Sequence, residues 1–217
     1  MGLPAVVIPV FNALPHLREC LSSVARYSAD ADILLIDDAS TDPGVRPLLD
    51  LWVQDAPRRR RLLINDCNRG FVYSANRGMR HFEGDVVLLN TDTLVTPRWL
   101  ELLGGCLASD RRIASATPWS NNGEIVSFPD FCRAGPVPPD PAALAEAIRA
   151  CGPPQYPDIP TAVGFCMAIS RTAIEAIGYF DAEAFGRGYG EENDFSLRAV
   201  AAGLKNVLCD DAYVAHH

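Results

Sequence analysis

Apolar positions along the first 118 residues alternate between two periods. Ala5–Val10 is a continuous apolar run, the pattern of a strand buried on both faces. Leu14, Leu17, Leu21 and Val24 follow at spacings of 3, 4 and 3, one face of a helix. The alternation repeats. A strand is predicted at 33–36, a helix through Val45, Leu48, Leu49, Trp52 and Val53, and a strand at 61–64. A helix through Phe71, Ala75, Gly78 and Phe82 then leads to a strand at Val86–Leu89. Pro97 opens a helix carrying Leu100, Leu103 and Leu107, since proline suits the first helical turn, and a strand follows at 113–117. Such alternation predicts an α/β fold, a mostly parallel sheet flanked by helices, in a single domain.

The pattern changes after Pro118. Prolines crowd the stretch from 129 to 160, and one helix fits, at 142–150. We read 119–160 as a proline-rich surface insertion. It separates a first half, 1–118, from a second half, 161–217. In that half a strand is predicted at 162–170, an irregular segment at 178–190, a helix at 192–202 stopped by Gly203, and short strands at 206–208 and 212–214. The sequence ends at His217, just after a segment with functional character, so the expectation is a domain excised from a longer protein.

Composition narrows the function. The 217 residues are 48% hydrophobic, too apolar for a disordered chain, and long enough for a sizeable core. The net charge of −8 argues against nucleic acid as a partner, because backbone binding needs clustered Lys and Arg. No apolar stretch reaches the roughly 20 residues of a membrane span. Residues 1–10 lack the basic start of a signal peptide. The seven cysteines are odd in number and form no CxxC pair, so most are expected to be small buried hydrophobes in a reducing cytoplasm.

In an open parallel sheet, ligands bind outside the carboxyl ends of the strands. Four consecutive strand ends here carry Asn or Asp: Pro9-Val10-Phe11-Asn12, Asp37-Asp38, Asn65-Asp66-Cys67-Asn68-Arg69-Gly70 and Asn90-Thr91-Asp92. Each cluster alone is ordinary turn and cap chemistry. Four on one edge exceed what caps require. Asp92, with a neutral oxygen two residues before it, suits a hard divalent cation such as Mg²⁺. His216 suits Mn²⁺. Glu191, Glu192 and Asp194 repel one another, which can lift one of them into the range of a general base. They are equally a first helical turn, with Asp194 spaced to pair with Arg198. Trp119 to Gly123 reads either as a sugar contact or as a turn. His16, His81 and the run from Arg58 to Arg61 read as solvated surface, and Trp52 and Trp99 as core.

These motifs carry a family likeness. Val7-Ile8-Pro9-Val10-Phe11-Asn12, Asp37-Asp38-Ala39-Ser40-Thr41-Asp42, and Asn68-Arg69-Gly70 with Ala75-Asn76-Arg77-Gly78 come first. Leu89-Asn90-Thr91-Asp92-Thr93, Gly178-Tyr179-Phe180-Asp181, Gly188-Tyr189-Gly190-Glu191-Glu192-Asn193-Asp194 and Val214-Ala215-His216 complete the set. In this order the chain resembles family-2 glycosyltransferases of the GT-A fold. The resemblance implies an inverting, metal-dependent transfer of a sugar from a nucleoside-diphosphate sugar to an acceptor hydroxyl, with 1–118 as the nucleotide-sugar-binding half and 161–217 as the acceptor and catalytic half. UDP is the first expectation for the nucleotide. The acceptor would be a glycan, a lipid-linked group or a protein, and the setting surface polysaccharide or glycoconjugate synthesis. The location implied is cytoplasmic or peripheral at the inner face of the membrane.

Carried over by position, Pro9, Val10, Phe11 and Asn12 would border base and ribose, and Asp37 or Asp38 would hydrogen-bond them. Asn68, Gly70 and Asn76 would line the nucleotide-sugar pocket, with Asn90 and Thr91 beside it. Asp92 and His216 would hold Mn²⁺ or Mg²⁺. Glu192 would be the base, with Glu191 and Asp194 as rivals. Asn90 stands where the metal motif has its first Asp, and Glu192 where the family has Asp. The alternatives are a nucleotidyltransferase, which would carry a glycine-rich basic loop that residues 9–16 lack, and a non-catalytic nucleotide-sugar-binding or scaffold domain of a larger protein.

Overall fold

The computed structural model describes residues 2–217. Its elements follow the predicted alternation: β1 (Ala5–Val10), α1 (Leu14–Tyr27), β2 (Ile33–Asp37), α2 (Val45–Gln54), β3 (Arg60–Ile64), α3 (Phe71–Met79) and β4 (Val86–Leu89). Then come β5 (Thr93–Val95), α4 (Trp99–Ser109), β6 (Ile113–Trp119), α5 (Pro141–Ala150), β7 (Asp158–Ile159) and β8 (Cys166–Ile169). The chain closes with α6 (Arg171–Ile177), α7 (Ala182–Phe185), α8 (Glu191–Ala201) and β9 (Lys205–His216). One sheet runs in the order β3-β2-β1-β4-β8-β6-β9-β5, with β7 also on β9. Strands β1 to β4 are parallel, β6 and β9 are parallel to each other, and β8, β7 and β5 pair antiparallel.

Period-two burial divides the core. Val6, Ile8 and Val10 face α1, α2 and α4, whose Leu17, Leu49 and Trp99 complete one layer. Ala5 and Val7 face the other side, where Val72 and Met79 of α3, Ile174 of α6 and Phe195 of α8 form the second. Trp52 and Trp99 are both core residues, and His16 and His81 are exposed, as expected. All seven cysteines are free, and four of them are buried.

Several details differ from the sequence reading, among them the short strands β5 and β7, which it did not foresee. The two short strands expected at 206–208 and 212–214 are one twelve-residue strand, β9. The polar Asp210-Asp211 hides its continuity, and its register with β6 shifts between Pro118 and Trp119, so the ladder continues across the irregularity. The strand expected at 162–170 is confined to Cys166–Ile169, and Ser170 caps a helix, α6, that was not foreseen. The irregular segment 178–190 includes α7, capped by Asp181. Part of the 119–160 segment is internal, with Ser120, Asn121, Val126 and Ser127 buried, and α5 lays Ala145 and Ile148 on Tyr213 and Ala215 of β9.

Strand order positions the site. The chain steps outward from β1 to β2 and β3, then returns to place β4 on the other side of β1. Loops leaving β1 and β4 therefore diverge and leave a crevice between them. Because β8 runs antiparallel, its entry residue Phe165 reaches the same edge, where its carbonyl accepts from the Asn90 amide at 2.9 Å.

Candidate active site

Two adjoining cavities occupy this edge. The first, about 300 Å³, lies between the loops after β1, β3 and β4 and is lined by Pro9, Val10, Phe11, Asp38, Asn68, Gly70, Asn90, Thr91 and Asp92. Phe71, Ser74 and Arg187 also line it, and the sequence reading had not singled them out. The second, about 400 Å³, is walled by Glu191, Glu192, His216, Glu124, Phe165 and Tyr189. Asn90, Phe71 and Arg187 line both.

Asp38 is buried and saturated. Its Oδ1 accepts from Asn65 Nδ2 at 2.6 Å and from the Arg69 amide at 2.8 Å, and its Oδ2 from the Gly70 amide at 2.8 Å. It thereby fixes the loop after β3, so it shapes the first cavity as well as lining it. Three other expected ligand residues lie away from both cavities. Asn12 accepts from the Thr41 and Asp42 amides at 2.8 and 2.9 Å, tying two strand-end loops together. Asp37 accepts from the Ser40 amide at 2.9 Å, an Asx turn. Asn76 is buried and doubly bonded to the backbone of Phe180, at 2.8 and 3.1 Å, pinning α3 to the segment before α7. Asn68 accepts from the Arg187 guanidinium.

Asp92, which lines the first cavity, and His216, which lines the second, face each other. His216 Nε2 stands 3.4 Å from Asp92 Oδ1, a buried oxygen without a hydrogen-bond partner. His216 Nδ1 lies 2.6 Å from the carbonyl oxygen of Asn122. A carbonyl only accepts, so Nδ1 must carry the proton, and Nε2 is turned toward the carboxylate. An imidazole lone pair facing a carboxylate oxygen is satisfied by a proton or by a divalent cation such as Mn²⁺; among the described residues no third His, Cys, Asp or Glu joins the two, so a cation held here would complete its shell from water or substrate. With a proton there, the two groups act on each other. Burial pushes the Asp92 carboxyl up, but the His216 contact outweighs it and holds it below the ordinary 3.8. Burial likewise depresses the His216 imidazole, and the Asp92 contact with the Asn122 carbonyl lifts it above 6.5. Asn121 and Asn122 hold the strand end: Asn121 bonds the His216 amide and carbonyl at 2.9 and 2.7 Å. The sequence reading noted these residues only as a turn or a sugar contact. Trp119 donates to the Asp210 carbonyl at 3.2 Å and lines neither cavity.

The acidic cluster divides. Asp194 bridges Arg198 at 2.7 Å, and Arg198 caps the carbonyls of Ile177 and Tyr179, so Asp194 belongs to the helix surface and not to the cavity. Glu191 is buried at the cavity wall, with Oε2 unpartnered. Burial raises its carboxyl above 4.5; the amides of Glu191 and Tyr189 draw it back in part, and the charge of Glu192 adds to the rise. Glu192 is half-buried and lines the same wall.

Comparison with known proteins places the chain in a family and its fold in a class. The family model described as Glycosyl transferase family 2 matches residues 5–178. An uncharacterized glycosyltransferase of Haemophilus influenzae is 29% identical over 101 residues, 46% of this chain and 31% of that protein. The chain spans about a third of the length of the curated relatives it first matches. Among solved structures, GalNAc-T7 with UDP, GalNAc and Mn²⁺ superposes with a TM-score of 0.76 at 18% identity, covering 99% of this chain and 44% of that one. The mannosyltransferase PcManGT from Pyrobaculum calidifontis, with GDP-Man and Mn²⁺, gives 0.69 at 18% identity, covering 98% and 56%. The fold is GT-A, and the chain belongs to glycosyl transferase family 2.

Proposed function

We propose that this domain performs inverting transfer of a glycosyl group from a nucleoside-diphosphate sugar, with a UDP-sugar the first to test, to an acceptor hydroxyl of a glycan or glycoconjugate. One observation carries the reading: a carboxylate–imidazole pair and a separate pair of glutamates line cavities that adjoin at Asn90. Transfer needs both, one near the departing diphosphate and one near the incoming hydroxyl. The nucleotide would lie in the first cavity against Pro9 to Phe11, and the acceptor would enter the second.

Asp92 and His216 would hold a divalent cation, which when bound supplies positive charge beside the diphosphate. The acceptor oxygen forms its bond to the anomeric carbon from the face opposite the nucleotide. The bond from that carbon to the β-phosphate oxygen breaks, and its electron pair leaves with the phosphate. Glu192, the more accessible glutamate, takes the acceptor proton. Glu191, with its unpartnered oxygen on the same wall, accepts a hydrogen bond from the acceptor and orients it. The acidic, aromatic second cavity supports a neutral sugar acceptor, because three carboxylates among its walls oppose an anionic one.

Release of UDP from UDP-sugars, with and without acceptor glycans, tests this. Glu192→Gln should lower kcat roughly 100-fold or more, while Glu191→Gln should act mainly on the acceptor KM. Full turnover in Glu192→Gln with loss in Glu191→Gln would transfer the proton to Glu191. Tight nucleotide binding without any turnover would favour the scaffold reading.

A further inference from the structure

Arg187 is, among the described residues, the one Lys or Arg that lines either cavity, and it lines both. A nucleoside diphosphate brings at least two negative charges to a crevice already holding Asp38 and Asp92. Asp38 is already satisfied by three hydrogen-bond donors, and Asp92 faces His216. The remaining diphosphate oxygens need a cationic donor, and a guanidinium offers two parallel N–H bonds to a phosphate.

The chain seats Arg187 with care. Its carbonyl accepts from the Phe71 amide at 3.1 Å, which docks the segment before α8 onto the first turn of α3. Gly70, at φ +88°, makes room: a Cβ there would stand 2.6 Å from the Arg187 Cα. No side chain fits at residue 70 while Arg187 keeps this place. The Arg187 side chain is exposed and rests on a neutral partner, the Asn68 carboxamide oxygen. A neutral amide is a weaker partner for a guanidinium than a phosphate. Gly186, Gly188, Tyr189 and Gly190 all have positive φ, so the backbone on both sides of Arg187 follows a tight, unusual turn.

We propose that Arg187 is a diphosphate-binding residue that exchanges Asn68 for the β-phosphate of the donor. There it carries part of the charge that the phosphate gains as the anomeric C–O bond breaks. Gly70 is then the residue that allows Arg187 its position, beyond lining the pocket itself. The inference rests on the donor reading above.

Calorimetric titration of the full chain with UDP and with UMP, both with Mn²⁺, separates the two. Wild-type preference for UDP over UMP reports the donor site. Arg187→Ala, at an exposed side chain, should weaken UDP about 10-fold or more while UMP affinity stays within about twofold. Arg187→Lys should recover part of the UDP preference, since it keeps the charge and loses the fork. Gly70→Ala should reproduce the Arg187→Ala loss by displacing the backbone. Equal weakening of UDP and UMP in Arg187→Ala, or no weakening at all, would overturn the role of Arg187 and leave the donor site standing. A wild type that binds neither nucleotide would overturn both.

Discussion

The contact between Asp92 and His216 joins residues 124 apart in sequence, and neither is oriented by its own segment alone. The ring is set by a carbonyl of the loop after β6, and stacks on Phe165 at 5.2 Å between ring centroids. Two outcomes follow at this scale. Asp92→Asn and His216→Ala should each abolish the Mn²⁺-dependent part of nucleotide binding, read as loss of the difference between Mn²⁺ and EDTA titrations; a difference that persists in both variants would remove the pair from the metal site. Glu191 gives a pH signature. Its folded carboxyl titrates above the unfolded value, so between the two the folded state binds the extra proton and stability falls as pH rises. Glu191→Gln lacks that proton. Its melting temperature should therefore exceed that of the wild type at neutral pH, and the gap should close as pH falls toward 4.5.

Helix α3 is the element on which both cavities lean. Its first turn receives Asp38 and Arg187, its Asn76 holds the segment before α7, and its Gly78 lies against β1. A Cβ on Gly78 would stand 2.2 Å from Val7 Cγ1, and Val7 is fully buried with no route of escape. Alanine gains about 1 kcal/mol in a helix over glycine, but overpacking of this kind costs about 1–3 kcal/mol or more. The clash wins here, because relief would require β1 itself to shift. Gly78→Ala should lower the denaturation midpoint. Gly105→Ala, on α4 with nothing within 4 Å of the added carbon, should raise the unfolding free energy by up to about 1 kcal/mol in the same urea titration. Equal effects at the two sites would show that the helix-to-sheet contact is looser than described.

Taken whole, the molecule is an acidic domain with two adjoining cavities at one sheet edge. The net charge of −8 disfavours a polyanion on the general surface, and Arg187 is the one Lys or Arg among the described residues that lines the cavities at this edge. No helix among the described residues is long and apolar enough to cross a membrane. A ligand that binds only the folded state raises its stability by mass action, by about 2.7 kcal/mol at 100 times its Kd. UDP with Mn²⁺ should therefore raise the melting temperature, and EDTA should cancel most of the rise. A shift with GDP and none with UDP would reassign the donor base.

The alternating apolar runs sufficed for the α/β class, the order of β1 to β4 and most helices, because burial imposes its period locally and needs no partner to be read. The four polar strand ends were legible because parallel strands bring their carboxyl ends to one edge whatever lies between them, while the roles expected of Asp92, His216 and the glutamates came with the family resemblance. Tertiary structure decided which of these residues face the cavities. Asn12, Asp37, Asn76 and Asp194 have the right chemistry, but loop crossings, an Asx turn, a helix dock and an i,i+4 bridge occupy them. Arg187, Asn121 and Asn122 act through contacts with residues about a hundred positions away, and no local pattern encodes such a contact. The continuity of β9 was equally hidden, since Asp210 and Asp211 interrupt its apolar run, and only pairing with β6 and β5 carries the strand to His216. Local periodicity thus fixes the elements, whereas partnership between distant segments fixes which polar groups remain free to meet a ligand.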